Sequence, residues 1–218
     1  MTAPLNPKTV VVLSGGLDST VLLYHCQFMD MDCHAITFNY GQRHKKEIGF
    51  AKRTCEKLGV PHQVIDLTSF SRVLKGNALT DTSVEVPEGH YEAESMKQTV
   101  VPSRNLTFIS MASAYAVSIG AKRIALAVHA GDHAIYPDCR PDFMKAAANC
   151  LFYANSVQIF LFTPFISMKK EEIVRVGGLL GVNFEETWSC YKGGDEPCGK
   201  CGTCVEREEA IRLVLENP

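Results

Sequence analysis

The chain has 218 residues, 46% of them hydrophobic and 21% charged, with a formal charge of −2. It can bury a sizeable core without disulfide staples, and this composition leaves little room for a long disordered segment. The lack of a basic excess argues against stable binding to a nucleic-acid backbone and favours a small-molecule substrate. Met1 to Lys8 has no secretory-signal pattern. The longest apolar stretch, Val157 to Ile166, is interrupted by Gln158, Thr163 and Pro164 and is too short to span a bilayer. A cytoplasmic location with no membrane partner is expected.

In chain order, Thr9 to Leu13 is a β-branched and aliphatic run ending in glycines, and Ser19 to Phe28 carries apolar residues at helical spacing. These predict a strand, a loop and a helix. His34 to Phe38 reads as a second strand, Lys45 to Leu58 as a charged amphipathic helix stopped by Gly59, and His62 to Leu67 as a third strand. Polar residues from Ser69 to Gln98, with Gly76, Pro87 and Gly89, predict a long irregular insertion of the kind often used as a lid. Asn105 to Ile119 then reads as a helix, Arg123 to Val128 as a strand, and Pro141 to Asn155 as a helix with proline in its first turn. Val157 to Phe162 is expected to be a strand and Lys169 to Leu180 a helix closed by Gly181, ahead of a cysteine-rich knot and a final charged helix. Alternating strands and helices imply a parallel sheet covered on both faces.

A strand running into two glycines and a helix presents successive backbone N–H groups to an anion above the helix N-terminus. Glycine lets a phosphate approach the main chain, while Asp18, Ser19 and Thr20 can cap the first turn or reach a metal ion. The loop has neither the Walker lysine nor the dinucleotide spacing. From these residues alone, a tight strand-to-helix turn with no ligand remains an alternative.

There are nine cysteines. Cys198, Cys201 and Cys204 form a Cys-x-x-Cys-x-x-Cys run with Cys190 upstream, which suits tetrahedral zinc closed by protein and therefore structural. A redox pair and an iron–sulfur site are the other readings. Cys26, Cys33, Cys55 and Cys150 are expected to be buried free thiols. Cys139, between Asp138 and Arg140, reads as a bystander, with a nucleophilic role as the alternative.

The string Ser14-Gly15-Gly16-Leu17-Asp18-Ser19 resembles the signature of the PP-loop ATP pyrophosphatases. Tyr40-Gly41-Gln42-Arg43-His44, Arg104-Asn105, Tyr136-Pro137-Asp138-Cys139-Arg140 and the cysteine tail extend the resemblance, over nearly the whole chain, to the 7-cyano-7-deazaguanine synthase family. This implies a doubly wound α/β sheet of the adenine-nucleotide alpha hydrolase type, with ATP at the switch point of strand order. An ATP domain over 1–185 and a zinc-binding segment over 186–218 follow. So does a reaction in which ATP is cleaved between its α and β phosphates while 7-carboxy-7-deazaguanine and ammonia become the nitrile, on the route to queuine. A homodimer is expected from the same resemblance.

By resemblance, Leu13, Ser14, Gly15, Gly16, Leu17, Asp18, Ser19 and Thr20 hold the nucleotide, and Asp18 either helps hold Mg2+ or fixes the loop by capping. Arg104 and Lys170 are expected on phosphate in place of a Walker lysine, although Lys170 also reads as a solvated helix start. The substrate candidates are Arg43, His44, Asp132, Tyr136, Asp138 and Arg140, with Asp132 or Asp138 accepting the paired N–H donors of the deazaguanine edge and Tyr136 stacking on its ring. Two departures stand out: 130–136 differs from the acidic and aromatic family version, and Ser103 replaces a glycine before Arg104. His129 and His133 are possible contacts in this variant. The competing functions are a PP-loop enzyme that thiolates transfer RNA or ligates lysine to it, an amidotransferase synthetase, and a non-catalytic nucleotide and zinc module. The first needs a basic surface and the second a glutaminase region, and neither is evident.

Overall fold

The structure, a computed structural model, describes residues 6–90 and 94–216. Residues 1–5, 91–93 and 217–218 lie outside the described residues, and with them most of the segment on which the signal-sequence expectation rests. The strands are β1 (Thr9–Val12), β2 (Cys33–Asn39), β3 (His62–Asp66), β4 (Arg123–Ala125) and β5 (Phe160–Phe162). They form one parallel sheet in the order β3-β2-β1-β4-β5. The chain winds outward from β1 in both directions, so the expected doubly wound fold is present and the switch point falls between β1 and β4.

The helices are α1 (Leu17–Phe28), α2 (Lys46–Leu58), α3 (Arg104–Ser118), α4 (Pro141–Ala154), α5 (Lys170–Leu179) and α6 (Gly202–Glu216). The two-residue period of β1 sends Val10 into one core layer with Ile109, Ala112 and Ile124, and Val11 into the other with Leu22, Ile173 and Ala210. Both faces are dry, which explains the uninterrupted β-branched run. Because Ala210 belongs to α6, the C-terminal tail contributes to the second core layer.

Strands β4 and β5 differ most from expectation. β4 ends at Ala125 and β5 begins only at Phe160, because three register pairs join them and, among the described residues, no strand flanks β5 on its other side. Val157 and Phe160 are consequently exposed. α1 begins at Leu17 rather than Ser19, its first turn closed by Thr20 N–H on Gly16 O at 3.1 Å.

The insertion forms short 3-10 turns at Thr68–Val73 and Glu94–Thr99, with Ala78, Leu79 and Met96 wholly buried. Buried Asn77 fastens it, donating to Val100 O and accepting from Leu79 N. Further on it pairs with the cysteine tail, as Glu88 bridges to Cys201 and Gly89 N donates to Lys200 O at 2.9 Å. Among the described residues, no helix is long and apolar enough to cross a membrane.

Candidate active site

A cavity of about 210 Å³ opens at the carboxyl ends of β1, β2 and β4. The glycine loop forms one wall. Ser14 Oγ accepts from Gly16 N at 3.1 Å and lies 3.0 Å from Ser19 Oγ, which donates to Gly16 O and accepts from Ser14 N. Gly15 has φ +92°, and a Cβ there would meet Glu47 O at 2.2 Å and Ala51 N at 2.7 Å. A side chain at this position is excluded both by conformation and by the backbone of α2. The tail supports the loop from behind, with Trp188 N donating to Gly15 O at 2.9 Å.

Asp18 does not cap α1. Its Oδ2 lies 2.6 Å from Lys170 Nζ, delivered from the start of α5, while Oδ1 is buried without a partner. Lys170 is therefore not a solvated helix start: its side chain is 11% exposed, and Nζ also lies 3.2 Å from Glu206 Oε2 and 3.3 Å from His129 Nε2. His129 Nδ1 accepts from Gly131 N, and Nε2 faces Asp132 at 3.6 Å and Asp18 at 3.9 Å. Burial alone pushes the Asp18 carboxyl up, but Lys170 and His129 outweigh it and hold Asp18 below the usual range. Burial likewise disfavours a charged Lys170, and Asp18, Glu206 and Asp132 reverse that, keeping it protonated.

The other end of the cavity is aromatic. Arg104 is the first residue of α3, and its guanidinium sits 5.8 Å from the Tyr136 ring centre. Tyr136 Oη is 2.7 Å from Thr99 Oγ1 and 3.3 Å from Tyr191 Oη. Buried His44 has its ring 5.3 Å from that of Tyr191. Burial, with Arg104 nearby, lowers His44 to about 3, so its imidazole is neutral at physiological pH. Ser103, the replacement for glycine, has φ +57°, a left-handed conformation that glycine adopts freely.

Leu13, Ser14, Gly16, Leu17, Asp18, Ser19, His44, Arg104, Asp132, Tyr136 and Lys170 thus line one cavity. Gly15, within the loop, and Thr20, in the first turn of α1, do not line it. Three substrate candidates are held elsewhere. The Arg43 guanidinium donates to Asp81 O and Val84 O, fastening the insertion. Asp138 Oδ2 accepts from Asn105 N at 2.9 Å, so this carboxylate satisfies an orphan donor of α3 instead of facing the cavity. Exposed Arg140 donates from Nε to His133 O. Cys139 lines the cavity, and burial raises its thiol far above the normal range, which disfavours the thiolate a nucleophilic role requires. Cys150 is exposed on α4 and departs from the expected buried thiols.

Sequence reasoning missed Glu47 and Glu206, both on charged helices whose acidic residues read as solvent-facing. The i, i+3 spacing of His44 and Glu47 was the available signal for the first.

The Sγ atoms of Cys190, Cys198, Cys201 and Cys204 all lie within 4.8 Å of one another, including 3.5 Å for Cys201–Cys204 and 4.0 Å for Cys198–Cys204. A tetrahedral ion with metal–sulfur bonds of about 2.3 Å requires sulfurs about 3.8 Å apart, so the cluster fits such a metal. Backbone N–H groups of Cys198, Lys200 and Cys201 point at the sulfurs, an outer shell that suits thiolates.

The family model described as "Queuosine biosynthesis protein QueC" matches residues 8–215. A 7-cyano-7-deazaguanine synthase from Caldicellulosiruptor bescii is 51% identical over 207 residues, covering 95% of this chain and 93% of the relative. The enzyme of the same name from Methanoregula boonei is 49% identical over 205 residues, 94% of each. Among solved structures, NMN synthetase from Francisella tularensis aligns with a TM-score of 0.51 at 13% identity, covering 99% of this chain and 79% of that one. The NH3-dependent NAD synthetase from Campylobacter jejuni aligns with a TM-score of 0.50, also at 13% identity, over 99% and 78%. At that identity the likeness is one of fold.

Proposed function

The chain belongs to the queuosine biosynthesis protein QueC family, and from that premise we propose how its cavity carries out the ATP-dependent synthesis of 7-cyano-7-deazaguanine from 7-carboxy-7-deazaguanine and ammonia. The observation that carries the reading is Lys170, buried beside Asp18 at the mouth of a glycine loop that has no lysine of its own.

A carboxylate resists ammonia because it is anionic and oxide is a poor leaving group. Attack of the carboxylate oxygen on the α phosphorus releases pyrophosphate and gives an acyl adenylate. Ammonia then displaces AMP, which carries that oxygen away, and a proton is lost to leave the amide. The amide oxygen attacks a second ATP in the same way; loss of AMP and two protons leaves the nitrile. One site serves both activations because each joins an oxygen on the same carbon to the α phosphorus of an ATP bound in the same place.

Ser14, Gly15, Gly16 and Ser19 cradle the pyrophosphate through backbone N–H groups and hydroxyls at the N-terminus of α1. Lys170 turns from Asp18 and Glu206 to the departing pyrophosphate, and Arg104 supplies the second cation. Asp18, with one buried oxygen lacking a partner, is the residue to hold magnesium. Tyr136, His44 and Asp132 border the acid. Zinc held by the four cysteines would have every position filled by protein and would cross-link the tail, which carries Trp188 to the loop and Glu206 to Lys170. Free ammonia as donor, a cytoplasmic homodimer and no stable nucleic-acid contact complete the reading.

The test is incubation with ATP, magnesium, ammonia and the acid. AMP that forms only with acid present, together with nitrile, is expected. No acid-dependent AMP would refute the reading, and thiolation of transfer RNA would replace it with the PP-loop modifying enzyme.

A further inference from the structure

The cavity must tell the deazaguanine acid from the adenine of ATP. Their edges differ: deazaguanine presents a ring N–H beside an exocyclic amine, two adjacent donors, whereas adenine presents an amine beside a ring acceptor. An ionised carboxylate accepts only, so it pairs with the first edge and repels the second. Asp138 is taken by Asn105, and Asp132 faces His129 at 3.6 Å in the cluster around Lys170. Glu47 is the carboxylate buried at the aromatic end of the cavity.

Glu47 belongs to the first turn of α2, whose backbone is pressed against Gly15 and cannot shift. Its Oε1 accepts from Gln42 Nε2 at 2.9 Å and faces His44 Nε2 at 3.5 Å. Gln42 takes one lone pair of Oε1, and the carboxylate lines the cavity with capacity for further donors. Gln42 cannot flip, because its amide accepts from Tyr40 N and donates to Phe38 O. At the same end of the cavity, Phe38 and Phe108 stack with ring centres 4.3 Å apart and 13° between planes, and Tyr40 leans on Phe108 at 5.4 Å, tilted by 58°. A planar heterocycle and a paired-donor edge are the ligand features this corner matches.

We propose that Glu47 is the specificity-determining residue that accepts the two N–H donors of the deazaguanine edge, with Gln42 and His44 positioning it. The inference rests on the activity proposed above. Burial pushes Glu47 up to about 7, against the pull of Gln42 and Arg104, so two further N–H donors from a substrate favour its ionised form.

The test compares the acid with its analogue lacking the exocyclic amine, on wild type and Glu47→Gln, by acid-dependent AMP release. Wild type is expected to prefer the acid by roughly 10- to 100-fold in kcat/KM, the worth of one hydrogen bond to a charged group. Glu47→Gln is expected to lose most of that preference, with KM for ATP unchanged. Glu47→Asp, which keeps the charge but shortens its reach, is expected to retain part of the preference and serves if the glutamine variant does not fold. An undiminished preference in these variants, or a rise in KM for ATP instead of for the acid, would overturn the assignment. Failure of the underlying activity looks different: wild type itself would release no acid-dependent AMP, and the assignment would fall with it.

Discussion

Replacing Lys170 by methionine keeps the bulk of the side chain and removes the cation from a buried cluster. Its ammonium lies 2.6 Å from Asp18 and 3.2 Å from Glu206, whose side chains are 25% and 15% exposed. Breaking a buried pair by removing one partner costs about 3–5 kcal/mol, and the opening of Asp18 to the cavity places this case near 3. For a chain of this size that is a fall of roughly 6–12 °C in Tm. The pH dependence fixes the cause. In the wild type Asp18 titrates below its ordinary value, so its contribution is full above the unfolded carboxylate range and is lost as pH falls through the folded value. In the variant the carboxylates are still buried but have no lysine, so they titrate above their unfolded values. The deficit is therefore full at pH 8 and shrinks toward pH 5. Urea unfolding of both proteins at the two pH values measures it, and a deficit below about 0.5 kcal/mol, or one independent of pH, would refute a buried pair.

Three further outcomes are expected. Ser103→Gly relieves a left-handed non-glycine residue at φ +57° and should raise stability by about 1 kcal/mol in thermal unfolding, with no change in metal content. Gly15→Ala places a Cβ 2.2 Å from Glu47 O, so it should abolish ATP binding by calorimetry while zinc stays bound; normal ATP affinity would contradict the loop assignment. Cys201→Ser should lower zinc from one per chain in elemental analysis, and, because Trp188 and Glu206 reach the loop from the tail, weaken ATP binding as well.

Much of the fold was legible because local pattern and tertiary context agree: β1 is apolar on both faces, and Gly59 and Gly181 stop their helices at positive φ. The short strands β4 and β5 were not, since their length depends on what a neighbour offers for pairing. In the site, the glycine loop and the four cysteines are compact motifs and could be read directly. Lys170 meets Asp18 across 152 positions, and Asp138 reaches Asn105 across 33, partnerships that no local spacing encodes. Glu47 and Glu206 were hidden by an ordinary inference, that acids on charged helices face water, which fails where a helix end abuts a cavity.

The central claim, that both oxygens of the acid leave on AMP, is tested most directly by supplying 7-carboxy-7-deazaguanine labelled with ¹⁸O at both carboxylate positions and weighing the nucleotide products. The account predicts two AMP for each nitrile, each carrying one ¹⁸O in its phosphate. ADP as the product, or unlabelled AMP with the label released to water, would contradict it.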